Sequence, residues 1–259
     1  MRERLRWTTQ HFSHDRYRIP MGRLELAPSR FQLGLRVESR ATLAIKSLGW
    51  PIVRARDDLL VDGFVQWMIG RWIREYADSD PAFLEVGCGD MTLRRYLPRG
   101  AWYNAIDISF SEYHLRRAVR GGGLVNVALA SVTDIPLEVG VASLVVTSQV
   151  LEYVQEIGRA IDEIYRVSEP QAKLVVSIAN GHCLKYQVKG PHRGHVNFWS
   201  QLEFVKMMTD HNFRLLASDM RGLWIPFPRC LTETSYQLPI PCRDEVLNSY
   251  MLFVFEAQK

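Results

Sequence analysis

The sequence predicts a doubly wound, mostly parallel α/β sheet of seven strands. Short apolar, β-branched runs alternate with helical segments, and the first of these runs ends in a pair of glycines. The last two runs are separated only by an irregular segment, which predicts a C-terminal antiparallel edge strand. At 259 residues, 47% of them hydrophobic, the chain is large enough for one such domain and an attached segment.

Seven apolar runs have the length of strands. They lie at 83–86, 102–106, 125–129, 142–147, 174–178, 213–218 and 250–256. The run at 142–147 is apolar and β-branched, as expected of a strand that is covered on both faces. Helices are predicted at 31–48, 59–76, 92–96, 154–164 and 201–208, and another is expected to end at the glycines 121–123. Ser200 and Glu203 have the spacing of a capping box.

The chain divides into an N-terminal arm, residues 1–58, with a predicted helix, and an α/β domain, residues 59–259. Residues 1–56 hold 12 Lys/Arg and 4 Asp/Glu, a net charge of +8, whereas the whole chain carries +4. Two roles stay open: the arm binds a phosphate, an acidic partner or a membrane surface, or it folds over the domain with local ion pairs. Aromatic and apolar residues interrupt the charges, which favours the second role.

The remaining composition indicates a cytoplasmic protein. The chain has no run of about 18 apolar residues, as a membrane-spanning helix requires, and its N-terminus lacks the apolar core of a secretory signal. Its four cysteines include no close pair with metal-ligand spacing, so reduced thiols are expected and a metal site is not. The sequence leaves the oligomeric state open.

A glycine-rich turn follows the first predicted strand. Gly87 and Gly89 allow unusual backbone angles and close approach of a ligand to the main chain. Asp107 lies twenty residues after Gly87, at the end of the second run, where a carboxylate can accept both hydroxyls of a ribose. A nucleoside-containing cofactor is therefore predicted. Thr92 occupies the third glycine position of the dinucleotide pattern, which weakens, but leaves open, a nicotinamide-dependent oxidoreductase.

Residues 83–178 resemble a class I S-adenosylmethionine-dependent methyltransferase of the small-molecule type, with its Rossmann-like domain. The resemblance rests on six segments in the family's order, at 85–89, 103–109, 133–137, 150–154, 163–167 and Pro170. The chain departs from the family's pattern at Met91, Ser131, Ser143 and Gln171-Ala172. Met91 replaces the third motif glycine, and Ser131 stands where an acid often contacts the adenine amine. A non-catalytic scaffold with a decayed cofactor site therefore stays as an alternative.

The resemblance also implies which residues bind S-adenosylmethionine. The amino-acid end of the cofactor is expected over Gly87 and Gly89, in a turn that Glu85 orders. Asp107 is expected to bind the ribose. Ile108, Ser131, Val132 and Thr147 complete the implied set, with Ile108 and Val132 on either side of the adenine.

Methyl transfer mainly needs an acceptor that is held in line with the methyl group. A base is required when the acceptor is a hydroxyl of high pKa, and the candidates are His195, His192, Tyr153 and His182. His192 and His195 follow the fifth strand, which predicts a position near the carboxyl edge of the sheet. A loop histidine is also commonly incidental, and His-x-x-His without a third ligand does not predict a metal.

We expect an oxygen or nitrogen acceptor on a small molecule, such as a sugar or a lipid-linked metabolite. Residues 148–151 lack the motif with which amino-methylating DNA enzymes grip a flipped base, so a nucleic-acid substrate is disfavoured. Residues 1–58 and 180–248 are expected to cover the substrate. The proline-rich insertion 221–248, with Trp224, is predicted to be a lid because so long a connection is usually functional.

Overall fold

The structure is a computed structural model that describes residues 62–110, 124–190, 194–225, 236–238 and 244–259. Several predictions fall outside these residues: the N-terminal arm 1–58 with its helix at 31–48, the helix that ends at 121–123, and His192. Most of the insertion 221–248 and the side chain of Trp224 also fall outside them, so the lid stays a prediction.

A single mixed sheet organises the described residues. Its strands are β1 (Phe83–Val86), β2 (Trp102–Asp107), β3 (Leu124–Leu129), β4 (Ala142–Ser148), β5 (Ser168–Ala179), β6 (Phe213–Ile225), β7 (Tyr236–Leu238) and β8 (Asn248–Ala257). Their order is β3-β2-β1-β4-β5-β8-β6-β7. Strands β1 to β5 pair in parallel. Strand β8 is antiparallel to both β5 and β6, and β7 is antiparallel to β6.

The predicted fold class is confirmed, and all seven predicted strands are present. Two details differ. The short strand β7 adds an eighth strand at the edge, and the C-terminal strand β8 lies inside the sheet instead of at its edge. Almost every residue of β8 is buried, as in a strand that has neighbours on both sides and is covered on both faces.

Four α-helices lie in the described residues: α1 (Asp62–Tyr76), α2 (Ile157–Val167), α3 (Leu184–Lys189) and α4 (Gln201–Asp210). Helices α1, α2 and α4 were predicted, although α2 begins three residues later than expected. The segment Thr92–Tyr96 forms a 3-10 helix, and so does Leu151–Tyr153. The sequence did not predict α3. The capping box at the start of α4 is present, since Ser200 Oγ accepts from the Glu203 amide at 3.3 Å and Glu203 accepts from the Ser200 amide at 2.8 Å.

The core has two layers, one on each face of the sheet. Leu84 and Val86 of β1 face the side that α2 and α4 cover, where Phe204 is fully buried. Phe83 faces the other side with Tyr103, where Ile69 of α1 is fully buried. Covered faces explain why the strands are nearly continuous apolar runs. They also leave the strand ends as the place where a ligand can reach the sheet.

Met91 stands where the family has its third glycine, and it keeps a backbone conformation that suits glycine. Its φ is 56° and its ψ is 34°, in the left-handed region. Its side chain is buried in the core beside α1. Burial of an apolar side chain of this size stabilises by about 1.5–3 kcal/mol, which offsets the roughly 1–2 kcal/mol cost of the left-handed backbone.

We predict that Met91→Gly is more stable than Met91→Ala. Both variants lose the buried side chain, at a cost of about 2–5 kcal/mol. Only alanine keeps the left-handed strain, so glycine should be favoured by about 0.5–1 kcal/mol after its greater unfolded-state entropy is subtracted. Urea unfolding measures the difference.

Leu93, which is buried two residues later in the 3-10 helix, provides the matched control. At that position the usual order is expected, with Leu93→Ala more stable than Leu93→Gly. The same order at Met91 would show that the left-handed backbone imposes no cost there.

Candidate cofactor cleft and acceptor side

A cleft opens at the point in the sheet where the strand order reverses. Strand β1 lies between β2 and β4, so the loops after these strands diverge at their carboxyl ends, where open α/β sheets bind ligands. The cleft has a volume of about 470 Å³. Its lining comprises Val86, Gly87, Ile106, Asp107, Ile108, Ala130, Ser131, Val132, Thr133, Ser148, Gln149, Val150, Tyr153, Val154, Gln155 and Glu156.

The turn after β1 needs both of its glycines. Gly87 has a φ of 72°, and a β-carbon there would lie 2.2 Å from Val150 Cγ2, so only glycine fits against Val150. The Gly87 amide donates to the Ile106 carbonyl at 2.8 Å. Gly89 has a φ of 42°, and no atom lies within 4 Å of where its β-carbon would be. The turn is thus tied down at Gly87 and open beside Gly89.

Asp107 joins the end of β2 to this turn. Its Oδ2 accepts a hydrogen bond from the Gly89 amide at 2.9 Å, and its Oδ1 accepts one from the Ser109 amide at 3.0 Å. An ionised carboxylate offers about four acceptor positions, so Asp107 can still accept from a ligand in the cleft. The side chain predicted to bind a ribose is therefore both fixed in place and available.

Ile108 and Val132 lie in the same cleft, as the resemblance implied. Ile108 is 75% exposed, an unusual position for a large apolar side chain that follows a strand directly, whereas Val132 is only 6% exposed. Ser131 also lines the cleft, and its Oγ lies 2.8 Å from Thr133 Oγ1. A flat apolar group between Ile108 and Val132 would cover the exposed isoleucine, which fits an adenine ring.

Glu85 and Thr147 lie outside the cleft lining, although the resemblance placed both at the cofactor. Glu85 is buried on the α1 side of β1 and accepts a hydrogen bond of 2.5 Å from Tyr103 Oη. Burial raises the pKa of Glu85 to about 8, against the opposing effect of this hydrogen bond. Thr147 is fully buried, because the alternation of β4 turns it toward the core and away from the cleft. Any effect of Glu85 on a ligand is therefore indirect.

Tyr153 connects the cleft to a group of aromatic side chains. Its ring is 44% exposed, and it meets His195 edge-on, with ring centroids 4.6 Å apart at 88°. His195 Nδ1 lies 3.1 Å from Tyr186 Oη, and Phe198 packs near both rings. We refer to Tyr153, Tyr186, His195 and Phe198 as the aromatic cluster. The structure thus brings two predicted catalytic candidates together, while His182 lies elsewhere, 3.5 Å from Glu203 on α4.

Glu152, which sequence reasoning did not single out, holds the aromatic cluster together. Its carboxylate accepts a hydrogen bond from the Ala179 amide at the end of β5. Its main-chain carbonyl accepts from the amides of Val196, at 2.8 Å, and Asn197, at 3.2 Å, next to His195. The side chain is 1% exposed, and its Oε2 has no hydrogen-bond partner among the described residues. Burial raises the pKa of Glu152 to about 7, against hydrogen bonds from the Ala179 amide and its own main chain.

Two further polar residues of the cleft were also missed. Ser148 Oγ lies 2.9 Å from Ser177 Oγ, and the Gln149 amide donates to the Ser177 carbonyl at 2.8 Å. Their sequence signal was their position directly after β4, at the carboxyl edge of the sheet. The cleft is thus polar along the β4 end and apolar around Ile108 and Val132.

In the part of the chain that the structure describes, no group of three or more His, Cys, Asp or Glu side chains is arranged to hold a metal ion. Within the same ranges, no helix is both long and apolar enough to cross a membrane.

Residues 84–176 match the family described as "Methyltransferase domain". No curated protein matches the chain in sequence. An S-adenosylmethionine-dependent methyltransferase from Methanosarcina mazei superposes with a TM-score of 0.54 at 18% identity, over 72% of this chain and 97% of that one. A 1,6-didemethyltoxoflavin N1-methyltransferase from Burkholderia thailandensis, with 1,6-didemethyltoxoflavin and S-adenosylhomocysteine bound, superposes with a TM-score of 0.56 at 13% identity, over 86% and 92%. The [4+2]-cyclase SpnF superposes with a TM-score of 0.55 at 14% identity, over 74% and 80%.

At these identities the solved structures establish the fold, and the cyclase illustrates that the fold alone does not determine the reaction. The family match covers the strands that form the cleft. Residues 84–176 therefore match a methyltransferase domain, and the solved structures give it the fold of class I methyltransferases. S-adenosylmethionine is the cofactor that this match and the methyltransferase neighbours support.

We predict that Glu152→Gln stabilises the protein at high pH and has little effect at low pH. The raised folded-state pKa means that the protonated carboxyl favours folding, so the parent loses stability as the pH rises from about 4.5 to about 7. Glutamine keeps the oxygen that accepts from Ala179 and carries no charge. Above pH 8 its advantage should be on the order of 3 kcal/mol.

Chemical unfolding of both proteins at pH 5 and pH 8.5 measures this difference. Glu138→Gln, at an exposed position, is the control and should differ little from the parent at either pH. A Glu152→Gln variant less stable than the parent at pH 8.5 would show that the buried carboxylate has a stabilising partner.

Proposed function

We propose that this domain transfers a methyl group from S-adenosylmethionine to an oxygen or nitrogen of a small-molecule acceptor bound against Tyr153. One observation carries the proposal: Tyr153 lines the cofactor cleft and also contacts His195 of the aromatic cluster. The charged side chains in the described lining, Asp107 and Glu156, are both acidic, which disfavours a polyanionic acceptor such as nucleic acid.

The cofactor supplies a methyl group on a sulfonium that is already activated for transfer, and this chain holds it. Asp107 binds the ribose hydroxyls, and Ile108 and Val132 enclose the adenine, with Ser131 beside it. The main chain at Gly87 and Gly89 supports the amino-acid end. Glu85 affects the cofactor only indirectly. It lies in the core below the glycine turn, where it accepts a hydrogen bond from Tyr103 Oη.

The aromatic cluster orients the acceptor and accepts its proton. Burial raises the pKa of Tyr186, with the nearby Cys183 and Glu152 adding to the effect, so Tyr186 remains a neutral phenol. When Tyr186 Oη accepts from His195 Nδ1, the lone pair of the ring lies on Nε2, which can take a proton from an acceptor hydroxyl. The exposed face of Tyr153 aligns the acceptor for attack.

The acceptor can be identified from the protein itself. Small molecules extracted from purified protein are identified by mass spectrometry and then offered with isotopically labelled cofactor. Label should appear on an oxygen or nitrogen of a small molecule. Transfer to RNA or protein, with none to any small molecule, would contradict the proposed acceptor class.

We predict that Asp107→Ala weakens binding of S-adenosylhomocysteine roughly ten- to a hundredfold, because one charge-assisted hydrogen bond contributes about 1.5–3 kcal/mol. The hydrogen bonds from Gly89 and Ser109 predict a lower melting temperature of the free protein as well.

Calorimetric titration at a temperature where the variant is folded separates the two effects. Asp162→Ala, on the outer surface of α2 beside His211, is a control that should lose stability without losing affinity. Unchanged affinity in Asp107→Ala would make this residue purely structural.

We predict that His195→Gln lowers kcat for a hydroxyl acceptor by about a hundredfold or more, with cofactor affinity unchanged. His182→Gln is the matched control, since His182 lies beside Glu203 on α4, outside the aromatic cluster, and its loss should leave the rate unaltered. Rates are measured with labelled cofactor and the acceptor found by mass spectrometry. A normal rate in His195→Gln would mean that alignment alone drives the transfer.

A further inference from the structure

Helix α2 holds residues 135–137, the segment that follows one wall of the cofactor cleft. Arg166 Nη2 donates to the Ile135 carbonyl at 2.8 Å, and its Nη1 donates to the Leu137 carbonyl at 2.8 Å. The Ile135 amide in turn donates to Glu163 Oε2 at 2.9 Å. Three hydrogen bonds thus fix the main chain of residues 135–137 to two side chains one turn apart on the helix.

The two side chains also fix one another. Arg166 Nε donates to Glu163 Oε1 at 2.7 Å, and Nη2 donates to Oε2 at 2.8 Å, a two-pronged pairing with a defined geometry. Partial burial alone would raise the pKa of Glu163, but hydrogen bonds from Arg166 and the Ile135 amide lower it overall. Glu163 therefore stays ionised at neutral pH, and the pair keeps its shape.

A tight turn transmits this geometry to the cleft. The Asp134 amide donates to the Ser131 carbonyl at 3.1 Å, and the Thr133 amide donates to Ser131 Oγ at 3.2 Å. Ser131, Val132 and Thr133 all line the cleft. Only Asp134 separates them from residues 135–137, which Arg166 and Glu163 hold. A shift of residues 135–137 therefore also moves this wall of the cleft.

We propose that Glu163 and Arg166 are positioning residues that set the adenine wall of the cleft and thereby the selectivity for the base. They touch the protein main chain and not the cofactor. The inference rests on the placement of adenine between Ile108 and Val132 under the proposed function. It goes further, since it assigns base selectivity to a side-chain pair on the outer helix.

Arg166→Met tests the proposal, because methionine keeps much of the aliphatic length and removes every donor. Calorimetry measures the binding of S-adenosylhomocysteine and of S-inosylhomocysteine, whose base lacks the amine, well below the melting temperature of the variant. Affinity for S-adenosylhomocysteine should fall about three- to tenfold, the effect of roughly one hydrogen bond. The ratio of the two affinities should fall with it. Arg214→Met, which removes an exposed ion pair with Glu256, is the control and should leave both affinities unchanged.

Glu163→Gln is the second variant, in case Arg166→Met does not fold, and a smaller change in the same direction is expected. A lower melting temperature with both affinities unchanged would show that Glu163 and Arg166 contribute only to stability, and would overturn the proposal. An equal loss for the two ligands would also overturn it, because the base would not be the group affected. If the parent protein bound neither ligand, the proposed position of the cofactor would be wrong. The positioning role of Glu163 and Arg166, which rests on it, would then be wrong as well.

Discussion

The site depends on one close approach that only a residue without a β-carbon permits. Gly87 lies so near Val150 that any side chain there would collide with it. This contact brings the turn after β1 against the loop after β4, while Asp107 secures the same turn to the end of β2. The carboxyl ends of three strands are thereby held together at the point where the strand order reverses. The cleft forms because these strand ends contact one another closely through the main chain of the glycine turn. The space beside Gly89 is left open.

Two buried carboxyl groups lie beside this junction, and both have raised pKa values. Glu85 is beneath the glycine turn, and Glu152 is at the base of the aromatic cluster. Burial of an ionisable group costs stability, so such positions are commonly found where function constrains the sequence. Glu152 connects β5 to the segment that carries His195, which gives its position a clear purpose. Glu152 thus holds a loop from within, whereas Glu85 accepts a hydrogen bond from Tyr103 on the neighbouring strand β2.

Much of the fold could be predicted from local patterns, and so could the meeting of some site residues. Alternating runs predicted the seven strands, and Gly87, Gly89 and Asp107 were expected together at the carboxyl ends of the strands, where the structure has them. Binding of a nucleoside there stays a prediction. The interior position of β8 could not be predicted, because strand order depends on pairing between distant segments. Thr147 was misplaced because the direction of a side chain depends on strand register. Arg166 was missed since its partners lie about thirty residues earlier, although the segment that contains it had been recognised as a motif.

Calorimetric titration of the full chain with S-adenosylhomocysteine, and separately with NAD, tests the central claim most directly. The junction of Gly87, Gly89 and Asp107, together with the apolar pair Ile108 and Val132, predicts binding of S-adenosylhomocysteine at micromolar to high-micromolar concentrations. No binding of NAD is expected, because Thr92 replaces the third glycine that a dinucleotide turn would use. Binding of NAD without binding of S-adenosylhomocysteine would contradict the account.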